Sequence, residues 1–299
     1  MNTRNKVRWE RMFPDELETA FADCPLLYLT YGLCEPHGPQ NALGLDALKA
    51  HALACRAADE HGGIVAPPDY WHIHEVGQFA HWLEARVGHV ERGWMSALPP
   101  WQHFKNVCYQ IRAADNLGFK AVILLTGHYG ANWEDLKTLV ALIQPHVGAR
   151  LHALPDFEAN TAGFFGDGTH ARDHAGKVET SQLLALEPDC VDLSRLPPDG
   201  APEPQFALGP DFRLSGRREG EAMVKSQVAW LGAKGRELLA RHEAEKPAAR
   251  LRSYDQVEAL WRDVVVPKFA DFKTMRAVEA PPLPADSPWA ANAAYRIWA

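Results

Sequence analysis

Short apolar runs alternate along the chain with stretches of helical period. Leu26-Leu27-Tyr28-Leu29-Thr30-Tyr31 is nearly continuous in apolar character, the pattern of a strand buried on both faces. It leads into the turn-rich Gly38-Pro39-Gln40-Asn41. From Asp46 to Glu60 the chain is rich in Ala and Leu, which predicts a helix stopping at Gly62-Gly63. Ile64-Val65-Ala66, just before Pro67-Pro68, predicts a second buried strand. Between Asp69 and Gln102 the chain is aromatic and histidine-rich without a clean period, which predicts loops and short helices that cover a neighbouring feature.

Beyond that point the alternation is regular. Helices are predicted over Phe104–Leu117 and Trp133–His146, and buried strands over Lys120–Leu125 and Arg150–Leu154. Glu179–Leu186 and Glu219–Glu245 predict two further helices. Near-continuous apolar strands alternating with helices imply an α/β fold, its mostly parallel sheet covered on both faces. Leu196–Pro210 and Pro281–Pro288, rich in Pro and Gly, predict irregular excursions. There is no internal repeat, low-complexity tract or charge block. The expectation is a single domain over 1–299, with its core at about residues 20–245 and a C-terminal extension over 246–299.

Composition narrows the class. The 299 residues are 46% hydrophobic and 23% charged, which excludes wholesale disorder. A formal net charge of −7 argues against a whole-chain electrostatic grip on nucleic acid or an anionic membrane, so neither is expected as a partner. The five cysteines (Cys24, Cys34, Cys55, Cys108, Cys190) form no CxxC pair and suggest reduced thiols in a cytoplasmic protein. Met1–Glu10 carries no apolar run, so no signal peptide is expected. The longest apolar runs, such as Ala121–Leu125, are far short of a membrane span.

Candidate chemistry falls into three clusters, each at a predicted strand end or helix start. Glu35-Pro36-His37-Gly38-Pro39 is followed by Asp46. If the strand continues, the two-residue spacing puts Glu35 and His37 on one face, and Asp46 can fold back over them. Carboxylate with imidazole suits Zn, Mn or Fe(II); the bland alternative is a chance ExH with Asp46 as a helix cap. Thr126-Gly127-His128-Tyr129-Gly130-Ala131-Asn132 follows a buried strand, where open α/β sheets bind ligands. It reads equally as a tight turn capped by Asn132. In Asp173-His174-Ala175-Gly176-Lys177-Val178-Glu179-Thr180-Ser181, His174 is a candidate proton shuttle and Glu179 a ligand or base. There the alternative is a helix capped by Thr180 or Ser181.

In order, these clusters resemble the motifs of the creatininase (creatinine amidohydrolase-like) family: E-x-H-G-P with a later Asp, an N-G-H-G-G-N-like loop, and H-A-G-x-x-E-T-S. The resemblance spans about residues 25–190 and implies a three-layer α/β/α sandwich. It also implies two divalent metals (Zn, Mn or Fe) per chain, bridged by one aspartate and a water. Carried over by position, Glu35 and His128 hold one metal, His37 the other, and Asp46 bridges. Creatininases proper take a further ligand from a Glu two residues after the loop histidine. Here that position is Gly130, and Glu179 is the expected replacement.

The resemblance further implies hydrolysis of a non-peptide C–N bond in a small cyclic amide or formamide, through a hydroxide bridging the two metals. His174 would protonate the leaving nitrogen, oriented by Asp173 or Glu179. Tyr129 and Gly130 are expected at the substrate, with Tyr70, Trp71 and Trp94 as lid or pocket wall. The loop is longer than usual, and Gly168-Thr169-His170 stands where creatininases proper carry a tryptophan, which puts His170 among the substrate contacts. These departures argue against creatinine itself. The alternatives are a lactone, a cyclic ketone of sugar or inositol catabolism, a peptide bond in peptide maturation, or a non-catalytic metal- or ligand-binding protein. Family members are homo-oligomers, often hexamers, and the same is expected here.

Overall fold

In chain order the elements are α1 (Pro14–Asp23), β1 (Leu26–Tyr31), α2 (Leu45–His61), β2 (Ile64–Val65), β3 (His72–Ile73), β4 (Ala97–Leu98), α3 (Pro100–Leu117), β5 (Ala121–Thr126), α4 (Asn132–Ile143), β6 (Arg150–Pro155), α5 (Lys177–Leu186), α6 (Arg217–Ala244) and α7 (Tyr254–Leu260). They come from a computed structural model that describes residues 6–74, 83–87, 92–163, 173–202, 204–245, 247–275 and 285–286. Four strands form a parallel sheet in the order β2-β1-β5-β6. Leu26 to Tyr31 lie in register with Ala121 to Thr126, which in turn match Arg150 to Pro155. A second, two-stranded parallel sheet joins β3 to β4 inside the stretch expected to be loops and short helices.

The strand period of two divides the core. Leu26, Tyr28, Ala121, Ile123, Leu125 and Leu154 pack on one face with α2 and α6. Leu27, Leu29, Val122, Leu124, Leu151 and Ala153 pack on the other with α3 and α4. Both faces are therefore covered, as the unbroken apolar strands required. Each fully buried Leu, Ile or Phe in these clusters contributes about 1.5–3 kcal/mol of transfer free energy.

The described part of the expected C-terminal extension belongs to this core. Leu251, Val257, Leu260, Trp261, Val265, Phe272 and Met275 are buried against the α3 and α4 face. Two anchors fix the segment. Asp115 accepts from the Leu251 amide, and Asp135 accepts from the Lys273 and Thr274 amides.

Helix ends follow local chemistry. α3 starts at Pro100, four residues before the expected Phe104, because Pro suits the first helical position. It stops at Gly118, whose φ of 96° is the left-handed conformation glycine tolerates. α4 ends at Ile143 rather than His146. Gln144–His146 tightens into a 3-10 turn, and Pro145 there has no amide to continue the helix. Among the described residues, no helix is long and apolar enough to cross a membrane. The five cysteines form no disulfide.

Candidate active site

The three motifs meet at the carboxyl ends of β1 and β5, where open parallel sheets bind their ligands. Glu35 and His37 lie on the segment leaving β1, and His128 lies two residues beyond β5. Asp46 enters from the first turn of α2 and Glu179 from the first turn of α5. All five are buried, with at most 3% of any of them exposed.

The turn bearing Asp46 is lodged between the two strand ends. A Cβ on Gly32 would lie 2.3 Å from the Ala47 nitrogen, and one on Gly127 would lie 2.1 Å from the Asp46 carbonyl oxygen. Glycine at both positions lets the backbones approach closely enough to present Asp46 to both histidines. Asp46 is not the helix cap. Gly44 holds that position, and the Asp46 carboxylate faces inward. Its Oδ1 is 3.2 Å from His37 Nε2, and its Oδ2 is 3.0 Å from His128 Nδ1.

The rest of the cluster is close-set. His128 Nδ1 is 2.9 Å from Glu35 Oε1, and His37 Nε2 is 3.7 Å from both Glu35 Oε1 and Glu179 Oε2. The Glu35 carbonyl oxygen lies 3.0 Å from His37 Nδ1. A carbonyl only accepts, so Nδ1 carries a hydrogen and Nε2 is the ring nitrogen left facing the carboxylates. Three groups have potential ligand atoms within 4.8 Å of one another: Glu35–Asp46–His128, His37–Asp46–Glu179 and Glu35–His37–His174.

Both remaining capping alternatives are set aside. α4 starts at Asn132 without a side-chain cap, and the Asn132 side chain donates through Nδ2 to the His128 carbonyl at 3.5 Å. α5 starts at Lys177, with Gly176 as its cap residue, so Thr180 and Ser181 are interior and buried. Asp173, expected with Glu179 as a candidate to orient His174, accepts from the Glu179 amide through Oδ2 at 2.8 Å, and burial pushes its carboxyl up to about 7. Glu179 accepts from Lys49 and from the Ala175 amide, each at 2.8 Å. Ala175 has φ of 51°, a strained value for a residue with a Cβ, and from it donates to Glu179.

His174 stacks on His37 with ring centroids 4.3 Å apart, and its Nε2 donates to the Pro36 carbonyl at 3.0 Å. Burial and the neighbouring His37 push its imidazole down to about 4, below the near-neutral range expected of a proton shuttle. The contrast with His37 is sharp. Burial alone would lower His37, but Asp46, Glu179 and Glu35 outweigh it and hold the ring at about 9. Burial opposes the charges of Asp46 and His128, yet His37 and His128 hold Asp46 well below its usual range, and Glu35 and Asp46 hold His128 well above.

The expected substrate contacts are scattered. The Tyr129 hydroxyl donates to Asp156, and its ring carries Lys49 Nζ at 3.7 Å from the centroid. Gly130 is half-buried in the loop after β5. Tyr70 packs beside Gly44 at the start of α2, while Trp71 and Trp94 are more than half exposed. His170 lies outside the described residues.

Two groups of residues had not been singled out. Buried Lys49 and Asp156 support Glu179 from behind. His72, His74 and His103 wall the Glu35–His128 side. The His72 and His103 rings are 4.2 Å apart, and the His74 ring is 5.8 Å from that of His128. Signals existed for both. Lys49 falls one turn after Asp46 on the face shared with Ala50 and Leu53, an odd place for a charge. His72 and His74 are two apart in an extended segment, which puts them on one face.

The residues fit a metal centre on an independent ground. Among the described residues, both Glu35 carboxylate oxygens, His37 Nε2, Asp46 Oδ1 and His128 Nε2 are buried with no hydrogen-bond partner outside the cluster itself. Orphaned polar atoms of this kind are costly unless something else satisfies them. Imidazole and carboxylate together are the donor set of Zn and Mn.

Comparison with known proteins agrees. Residues 10–244 match the family model for creatininase, described as creatinine amidohydrolase. The chain belongs to the creatininase family. It is accordingly an amidohydrolase. A crystal structure of creatinine amidohydrolase (creatininase) superposes with a TM-score of 0.61 at 23% identity, covering 78% of this chain and 98% of that one. The structure "Creatininase Mn" gives 0.58 at 22%, covering 77% and 98%. A putative creatinine amidohydrolase from Bacteroides fragilis NCTC 9343 gives 0.58 at 19%, covering 80% and 98%. At these identities the likeness establishes the three-layer fold. A search of curated proteins returns no match.

Proposed function

We propose that this creatininase family member hydrolyses a non-peptide C–N bond in a small cyclic amide or formamide at a pair of divalent cations. The observation that carries the proposal is the pair of three-residue groups, Glu35–Asp46–His128 and His37–Asp46–Glu179, joined at Asp46. Glu179 takes the place left by Gly130, which counts against a one-metal, non-catalytic protein. Such cations would supply Lewis acidity at the carbonyl and bring the pKa of a shared water towards ~7.

The chain's own residues supply orientation and proton transfer. With Nε2–H held by the Pro36 carbonyl, His174 keeps Nδ1 as its basic nitrogen. Its lowered basicity suits the donating half of a proton shuttle's role: having received the proton that the attacking water gives up, the ring would readily pass it on to the departing nitrogen. Its stacking on His37 keeps it over the cluster during both transfers. Gly130, Tyr70, Trp71 and Trp94 form the substrate side in this proposal. Tyr129, its hydroxyl engaged by Asp156, acts there through its ring and backbone. Cytoplasmic location and homo-oligomeric assembly complete the proposal, the former supported by five unpaired thiols.

Two measurements test it. Metal analysis of the purified chain should find close to two divalent cations, and a chelator should abolish turnover on a panel of cyclic amides, formamides, lactones and short peptides. Full activity after complete metal removal would end the proposal. His174→Ala should keep both cations and the fold while turnover drops by roughly 10²–10⁴-fold. Loss of a cation in that variant would instead make His174 a ligand, as the Glu35–His37–His174 group allows.

A further inference from the structure

Lys49 is fully buried, one helical turn after Asp46. Its Nζ lies 2.8 Å from Glu179 Oε1, 3.5 Å from Asp156 Oδ2 and 3.7 Å from the centroid of the Tyr129 ring. The other Glu179 oxygen, Oε2, is the one facing His37, at 3.7 Å, and the Ala175 amide anchors it. The carboxylate is thus shared between an internal ammonium on one oxygen and the metal-type group on the other. On the opposite side, Glu35 pairs with the imidazoles of His37, His74 and His128. The two halves of the cluster therefore differ in charge environment, although they share Asp46.

We propose that Lys49 makes the two cation sites unequal, so that the His37–Asp46–Glu179 site fills second and empties first. This rests on the dinuclear reading given above. Two effects act in the same direction. A fixed positive charge behind Glu179 repels an incoming cation, and burial keeps water from screening that repulsion. Lys49 also occupies Oε1, so Glu179 offers the second site one oxygen rather than two. Neither effect reaches the Glu35–Asp46–His128 site with the same strength, because Lys49 is paired to Glu179 and Asp156. Occupancy of the second site, and with it activity, then follows the free cation concentration.

The test is a titration of the metal-stripped chain with Zn²⁺ or Mn²⁺ against a competing chelator, read as binding constants independent of turnover. The parent should show two events separated by at least about ten-fold in affinity. Lys49→Met, which keeps the length of the side chain and removes its charge, should tighten the weaker event by about ten-fold or more and leave the stronger one unchanged. The Ala175 amide still anchors Glu179 in that variant. Lys49→Arg should keep the separation. Because Lys49→Met leaves Asp156 buried without its cation, the double variant Lys49→Met/Asp156→Asn removes both charges and should show the same narrowing in a less strained background. Two equal events in the parent, or a weaker event that Lys49→Met leaves unchanged or loosens further, would overturn the inference. A parent that takes up fewer than two cations would end the dinuclear reading itself.

Discussion

Asp46→Ala is expected to release both cations and to lower turnover by more than about 10⁴-fold, because the acidified water and the polarised carbonyl are lost together. The geometry makes this residue unlike its neighbours. Its two oxygens are divided, Oδ1 at 3.2 Å from His37 and Oδ2 at 3.0 Å from His128. It is also the member common to the Glu35–His128 group and the His37–Glu179 group. Glu179→Ala supplies the contrast. It removes a residue from one of these two groups and should cost one cation while the other stays. Asp46→Asn keeps the size and one acceptor oxygen, and should retain at most one. The fold should survive each change, because the Asp46 backbone rather than its carboxylate is what packs against Gly32 and Gly127. Metal analysis beside circular dichroism separates the outcomes. An Asp46→Ala protein that still holds two cations would mean that the shared carboxylate is incidental.

Much of this site was legible before any coordinates, for a specific reason. In a parallel sheet the loops after the strands converge at one edge, so motifs more than a hundred residues apart, such as those at Glu35 and Glu179, are brought together by topology. The apolar runs of β1 and β5 announced that topology, and Glu35, His37, Asp46, His128 and Glu179 do converge. What the sequence withheld depends on side-chain direction and on neighbours far along the chain. Asp173 reads as a partner for His174 because it is adjacent, and its hydrogen bond from the Glu179 amide could not be read from that adjacency. Lys49 and Asp156 sit on different elements, and only Lys49 lies near a motif, one turn after Asp46. Their meaning appears when the fold sets Lys49 of α2 between Asp156, just beyond β6, and Glu179. The region after residue 246 was expected as an extension beyond the core. Short turns bury Leu251, Trp261 and Phe272 all the same.

The second large effect is expected at a residue with no functional group. Gly127→Ala should destabilise the fold by about 3 kcal/mol, the upper end of overpacking costs, and abolish binding of both cations. The ordinary objection to alanine at a glycine is a left-handed backbone, but Gly127 is not among the positive-φ glycines. The penalty comes from contact alone. The new methyl would lie 2.1 Å from the Asp46 carbonyl oxygen and 2.9 Å from its carbonyl carbon. Backbone atoms at the start of a seventeen-residue helix cannot swing aside as the end of a side chain can. Either α2 shifts bodily or β5 does, and each movement separates Asp46 from His128. Gly32→Ala presses on the same turn from β1, 2.3 Å from the Ala47 nitrogen, and should reproduce the phenotype. Because the two changes strain one turn, their stability losses should not add in the double variant. Thermal melts and metal analysis of the three proteins make the comparison. A Gly127→Ala protein with parental stability and two cations would show that the close approach of α2 to the sheet has no part in building the site.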